Sequence, residues 1–204
     1  MSEYLVEMND ITVQFPGVLA LDHVHFDAKP GEVHVLLGEN GAGKSTIMKV
    51  LAGVNTNYEG EIIYKGEKIV SRSIEEQRER GVSIIFQELN QLKNLTVAEN
   101  IFMGRQPTKA GGQIDWKTMN RKARELLDSI HSDISEKAQV SSLSVGQMQM
   151  VEIAKALSFD CDIIIMDEPT TSLTDPEIEK VFAILRQLRQ QKVGIVFISH
   201  KLRE

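Results

Sequence analysis

The stretch that decides the fold is "GENGAGKST", Gly38–Thr46, set between "EVHVLL" (Glu32–Leu37) and "KSTIMKVLAG" (Lys44–Gly53). It has glycine, four free positions, then glycine-lysine-serine, with Gly38, Gly43, Lys44 and Ser45 fixed. A dense apolar run reads as an inner strand leading into it, and a helix closed by Gly53 follows. A loop that wraps phosphates must turn its backbone N–H groups inward, and glycine reaches the φ values this needs. Glu39, Asn40, Gly41, Ala42 and Thr46 complete the cradle. Lys44 is placed to neutralise the β- and γ-phosphates, Ser45 to offer a hydroxyl to Mg²⁺, and the helix to aim its positive end at the anion.

The rest of the chain is read outward from this loop. On the N-terminal side, "YLVEMNDITVQF" and "DHVHFDA" alternate apolar and polar residues as half-buried strands do. On the C-terminal side, "GEIIYKGEKIV" reads as two short strands about Lys65-Gly66. "SIEEQRERG" is a charged helix started by Ser73 or Ser71, and "VSIIF" a second inner strand. From 88 to 142 the pattern turns helical, in "TVAENIFMG" and "WKTMNRKARELLDSIH", around the breaker-rich loop "QPTKAGGQ". Then helix and strand alternate: "QMQMVEIAKALSF", "DIIIMDE", "PEIEKVFAILRQLRQQ" and "GIVFIS". Ile178, Val181, Phe182, Leu185 and Leu188 fall on one helical face. Such alternation predicts an α/β fold with a mainly parallel, helix-covered sheet.

In "IIIMDEP" four apolar residues precede Asp167 and Glu168, so a buried strand delivers both carboxylates to its C-terminal edge, where open α/β sheets bind ligands. Asp167 is the candidate Mg²⁺ ligand and Glu168 the candidate base for an attacking water. "LSVGQ", Leu143–Gln147, is harder to read. Ser144 and Gln147 fit a capping box, which is reason enough for both, but Gly146 in a first helical turn costs up to about 1 kcal/mol relative to alanine. Glycine there suits a ligand brought close to the backbone at a second anion-binding helix start.

Bulk properties narrow the rest. With 204 residues, 42% apolar and 25% charged, the chain has the balance of a globular domain. A net charge of −6 argues against a nucleic-acid partner. Cys161 is the single cysteine, reads as a near-core residue, and allows no internal disulfide, which fits a reducing compartment. "MSEYLVEMND" has no signal-peptide pattern and no apolar run nears the ~20 residues of a membrane span. The end at "FISHKLRE", just after a strand-like run, reads as that of a fragment.

The order GENGAGKST, Gln87 in "IIFQEL", LSVGQ, IIIMDEP and His200 in "FISH" resembles the ATP-binding cassette (ABC) ATPases. The resemblance covers nearly the whole chain, with LSVGQ a variant of the family's LSGGQ. It implies a P-loop NTPase core with an N-terminal antiparallel β subdomain and an inserted α-helical subdomain. The whole chain, 1–204, is then one nucleotide-binding domain truncated at its C-terminus, with 1–87 and 143–204 as ATPase core and 88–142 as helical subdomain. In that family two cassettes pair head to tail, and the signature of one meets the γ-phosphate held by the other. Ser144, Gly146 and Gln147 would then serve a nucleotide on a second cassette. By the same likeness Phe15 stacks on adenine, Gln87 senses Mg²⁺ and the attacking water and links to the membrane partner, and His200 grips the γ-phosphate.

One position departs. "EPTTSLTD" puts Thr174 where the family often has an aspartate that couples the two sites. That departure, with "FPGVLAL" and "GQMQMVEIAKALSF", resembles the first cassette of bacterial ribose- and galactoside-type importers. The likeness implies a peripheral protein on the cytoplasmic face of the membrane, energised by ATP and Mg²⁺, with transmembrane permease subunits and, indirectly, a sugar-binding protein as partners. Two other readings stay open: a soluble ABC-type ATPase acting on nucleic acid or ribosomes, and an ATP-binding fragment inactive alone.

Overall fold

The computed structural model describes residues 3–39, 41–170 and 173–200. Contacts divide the chain into two units. The first takes the described residues up to 86, with 161–169 and 185–200, and the second takes 87–160 and the described part of 170–184.

The first unit holds two four-stranded sheets. Strands β1 (Val6–Phe15), β2 (Val18–Ala28), β4 (Glu59–Tyr64) and β5 (Glu67–Ile69) pair antiparallel in the order β2-β1-β4-β5. Strands β3 (Val33–Leu37), β6 (Val82–Ile85), β7 (Ile163–Asp167) and β8 (Gly194–Ser199) pair parallel in the order β3-β8-β7-β6. Helix α1 (Lys44–Leu51) follows β3, and α2 (Ile74–Glu79), capped by Ser73, packs on β6. One core joins these layers: Met8, Ile11 and Ile62 of the antiparallel sheet, Met48 and Leu51 of α1, and Ile163, Ile165, Val196 and Ile198 of the parallel sheet. A sheet buried from its faces carries apolar residues at nearly every position, so all five of β7 and all six of β8 are buried.

The two runs read as inner strands, β3 and β6, lie at the sheet's edges among the described residues. Apolar density reports burial of the two faces, not hydrogen-bonded neighbours. In β6 all four residues are buried, whereas in β3 Val33, Val35 and Leu37 are exposed.

The second unit is helical. Helices α3 (Val97–Ile101), α4 (Trp116–Ser129) and α5 (Val145–Leu157) pack on one another. In α4, Met119, Ala123 and Leu127 recur every four residues on the buried face. Thr96 and Glu99 form a capping box on α3, and Asp115 caps α4. The loop "QPTKAGGQ" is pinned by a bridge between Thr108 and Ile114. This unit is broader than a helical insert at 88–142, because α5 packs against α3 and α4 and the start of α6 (Asp175–Gln190) joins it. On α6 Val181, Leu185 and Leu188 are buried as expected and Ile184 joins them, while Ile178 and Phe182 are only partly covered. Among the described residues no helix is long and apolar enough to cross a membrane.

Candidate functional site

The glycine loop runs from the end of β3 to α1. Asn40 lies outside the described residues. Gly41 and Gly43 both have φ of 84°, in the left-handed region that glycine enters without strain. Gly43 also has no room for a side chain, since a Cβ there would lie 2.7 Å from Leu21 Cδ2 and 3.0 Å from the Ala20 carbonyl oxygen. Gly43 is the N-cap of α1, and among the described residues no side chain caps this helix. Its first-turn N–H groups are therefore left to solvent or an anion. Lys44 Nζ donates to the carbonyl oxygens of Gly38 (2.7 Å) and Glu39 (2.8 Å), which braces the loop from within.

Next to Lys44 in sequence, Ser45 Oγ donates to Asp167 Oδ1 at 2.8 Å, so α1 and the end of β7 bring the two candidate metal ligands together across 122 residues. Asp167 is buried. A hydroxyl and a carboxylate are hard oxygen donors of the kind Mg²⁺ takes along with waters and phosphates. Among the described residues no group of three or more His, Cys, Asp or Glu side chains forms a protein-only cage. The donor set therefore fits an ion shared with phosphates rather than one held by protein alone.

One residue on, Glu168 has a φ of 48°. A left-handed non-glycine residue is uncommon, and such strain persists where surroundings hold it. Here the Glu168 amide donates to the Ile198 carbonyl (3.1 Å), and His200 Nδ1 lies 3.0 Å from Glu168 Oε1. The two residues come from the ends of adjacent parallel strands, β7 and β8. The imidazole holds the carboxylate, and the pair is largely shielded on the Glu168 side, which is 13% exposed against 37% for His200.

Phe15 ends β1, pairs with Val18 across the hairpin, and is 43% exposed. The following strand packs Leu21 against Gly43, so the hairpin flanks the loop. An exposed ring such as that of Phe15 can stack on a base. Thr46 lies in the first turn of α1.

The remaining predicted residues fall in the second unit. Gln87 opens it, just after β6, and is exposed. Ser144 is the N-cap of α5: its hydroxyl accepts from the Gln147 amide (3.2 Å), and Gln147 Oε1 accepts from the Ser144 amide (2.9 Å). The capping box is thus real. Gly146 is buried, and a Cβ on it would overlap the carboxylate of Glu177. Glu177 Oε2 accepts from the Thr174 amide (3.0 Å) and hydroxyl (2.9 Å). At the start of α6, Thr174 thus donates to Glu177 from both its amide and its hydroxyl. Sequence reading passed over Glu177. The signal was there, since Thr174-x-x-Glu177 repeats the capping-box spacing of Ser144-x-x-Gln147.

Comparison with known proteins bears on the fold and the family. The family model described as "ABC transporter" matches residues 21–171. A ribose import ATP-binding protein of Rubrobacter xylanophilus is 51% identical over 98% of this chain and 40% of its own length. A xylose import ATP-binding protein of Thermoanaerobacter pseudethanolicus is 48% identical over 100% of this chain and 41% of its own. A galactose/methyl galactoside import ATP-binding protein of Photobacterium profundum is 47% identical over 100% and 40%. The chain thus spans about two fifths of the length of these curated relatives. Among solved structures, a nucleotide-free ATP-binding cassette from an ABC transporter superposes with a TM-score of 0.86 at 26% identity, over 98% of this chain and 83% of that one. A dimeric bacterial ABC transporter cassette superposes with a TM-score of 0.80 at 25% identity, over 97% and 89%. With its α/β core, its glycine loop on α1 and its paired carboxylates at the end of β7, this chain belongs to the ABC transporter family.

Proposed function

We propose that the chain is the nucleotide-binding cassette that energises import of a monosaccharide of the ribose, galactose or xylose kind, by binding and hydrolysing ATP at the cytoplasmic face of a membrane. The observation that carries the substrate class is the run of relatives at 47–51% identity across this whole chain, each named for import of one of these sugars. The chemistry rests on the Ser45–Asp167 and Glu168–His200 pairs.

In this reading the adenine stacks on Phe15 and the triphosphate lies along Gly38–Thr46, against the uncapped start of α1. Lys44 leaves its two carbonyl partners for the β- and γ-phosphates, where its ammonium meets charged oxygens in place of neutral ones. Ser45, Asp167 and, by family likeness, Gln87 would hold Mg²⁺, which would offset phosphate charge. Glu168 takes a proton from the water that attacks the γ-phosphorus, the β–γ bridge bond breaks, and ADP and phosphate leave. His200 fixes Glu168 and meets the γ-phosphate. Ser144, Gly146 and Gln147 complete the nucleotide site of a second cassette, a role suited to a family with dimeric members. Gln87 and the helical unit pass the motion to permease subunits, which a sugar-binding protein supplies.

The test is turnover by the full-length protein with its permease and binding protein in vesicles. General-base removal costs about 10²–10⁴-fold, so Glu168→Gln should abolish steady-state hydrolysis while ATP binding persists. Parental turnover in that variant removes Glu168 as the base. Hydrolysis that none of ribose, galactose or xylose stimulates removes the substrate class and leaves the ATPase reading standing.

A further inference from the structure

The Glu177 carboxylate occupies a place the ATPase reading does not use. It reaches from α6 onto the start of α5, where it stands over Gly146 so closely that a side chain there would have to displace it. Two hydrogen bonds from Thr174 fix its other oxygen. Glu177 also borders a cavity of about 170 Å³ that Gln147, Met150 and Lys180 line. Its carboxyl is held below the usual carboxylate range, first by the Thr174 amide and hydroxyl, with the Ser144 side chain adding to them. Thr174, Glu177, Ser144 and Gly146 are thereby tied together within the second unit.

We propose that Glu177 is a positioning residue for LSVGQ: it fills the space that a side chain at 146 would take and locks the start of α5 to the start of α6. Two unusual residues then have one cause. Position 146 is glycine because Glu177 stands over it, and position 174 is threonine because its amide and hydroxyl orient that carboxylate. The lock matters for hydrolysis because α5 is already capped by its own box. The box pairs the Ser144 and Gln147 amides only, so a nucleotide meeting α5 depends on where Ser144 and the amides of Val145 and Gly146 are held. The inference rests on the reading that LSVGQ serves a nucleotide on a second cassette.

Four variants of the full-length protein test it: Ser144→Arg, Glu177→Ala, Gly146→Ala and the double variant Gly146→Ala with Glu177→Ala. Each is measured for Tm, for binding of a fluorescent ATP analogue to the cradle, and for kcat at saturating ATP. Glu177→Ala is expected to leave analogue affinity within about twofold and to lower kcat about tenfold. Gly146→Ala should lose Tm and kcat together, and the double variant should regain the Tm lost by Gly146→Ala while keeping the low kcat of Glu177→Ala. A parental kcat in Glu177→Ala, whatever its Tm, reduces the residue to a filler and overturns the inference. So does a Gly146→Ala loss of Tm that persists unchanged in the double variant. Ser144→Arg separates the two levels: if it turns over ATP like the parent, the role of LSVGQ falls and the inference with it. If it is dead while Glu177→Ala is normal, only the inference falls.

Discussion

The starts of α1 and α5 are the two helix ends that sequence reading marked for anions, and they are built in opposite ways. Helix α1 begins at Gly43, with a left-handed N-cap, no side-chain cap and no acidic residue in its first turn. Helix α5 begins at Ser144 with a complete capping box and a neighbouring carboxylate over Gly146. The ends of α2, α3 and α4 are also capped, by Ser73, Thr96 and Asp115. A cap satisfies first-turn N–H groups at the cost of their availability. An uncapped start suits a helix whose partner is a ligand. A capped start has part of its donors satisfied within the protein, and what it offers a ligand is a well-placed hydroxyl and the remaining backbone amides. The first is an anion site by composition, the second only by position.

Replacing Gly43 should separate the two ends most sharply. In Gly43→Ala the left-handed φ costs about 1–2 kcal/mol and crowding against Leu21 and Ala20 about 1–3 kcal/mol more. At about 2–4 °C per kcal/mol for a domain of this size, thermal unfolding should show it plainly. Nucleotide affinity should fall with it, because the same glycine shapes the loop. If affinity is unchanged while Tm drops, the uncapped start of α1 is a packing accident and the contrast fails.

A smaller loss is expected at α5. Ser144→Ala removes the side-chain acceptor for the Gln147 amide, worth about 1 kcal/mol, or about 2–4 °C in Tm. Affinity of the cradle for nucleotide should not change, whereas turnover should. A Ser144→Ala protein as stable as its parent would show that the box contributes nothing, and the two ends would then be alike in being open.

These contrasts were only partly legible beforehand. The glycine loop, the apolar run before Asp167 and Glu168, and the Ser144–Gln147 spacing are local signals, and the structure realises each as a loop, a strand end and a cap. Pairings across long separations were not legible from residue types. Ser45 with Asp167 could be guessed only through a shared metal, and nothing local said that His200 lies against Glu168 or that Glu177 stands over Gly146. A glycine at 146 shows that something approaches the start of α5 but not what, and the Glu177 carboxylate lies there in this structure. Strand position is not legible either. Apolar density in β3 and β6 measures cover on the faces, and sheet order is set by crossovers that leave no mark in either run.

The two ends should differ least, but still measurably, in their response to acid. The first turn of α1 contains no acidic residue of its own. At the α5–α6 contact, Glu177 is held below the usual carboxylate value of 4.5, chiefly by the Thr174 amide and then its hydroxyl, against a smaller effect of burial. A carboxyl with a lower pKa folded than unfolded binds more protons in the unfolded chain, so folding stability rises with pH across that window. The contribution is complete above the unfolded value and is lost as pH falls through the lower, folded one. Asp115, held down by the Thr118 side chain and amide at the start of α4, loses stability in the same direction, so the parent's slope is not due to Glu177 alone. The informative quantity is the Tm difference between parent and Glu177→Gln, which keeps the shape and removes the titration. That difference should shrink as pH is lowered from about 6 to about 3, because protonation makes the parent resemble the variant. A difference that stays flat means the carboxylate is not held by Thr174 in solution, and α6 then starts without the contact that ties it to α5.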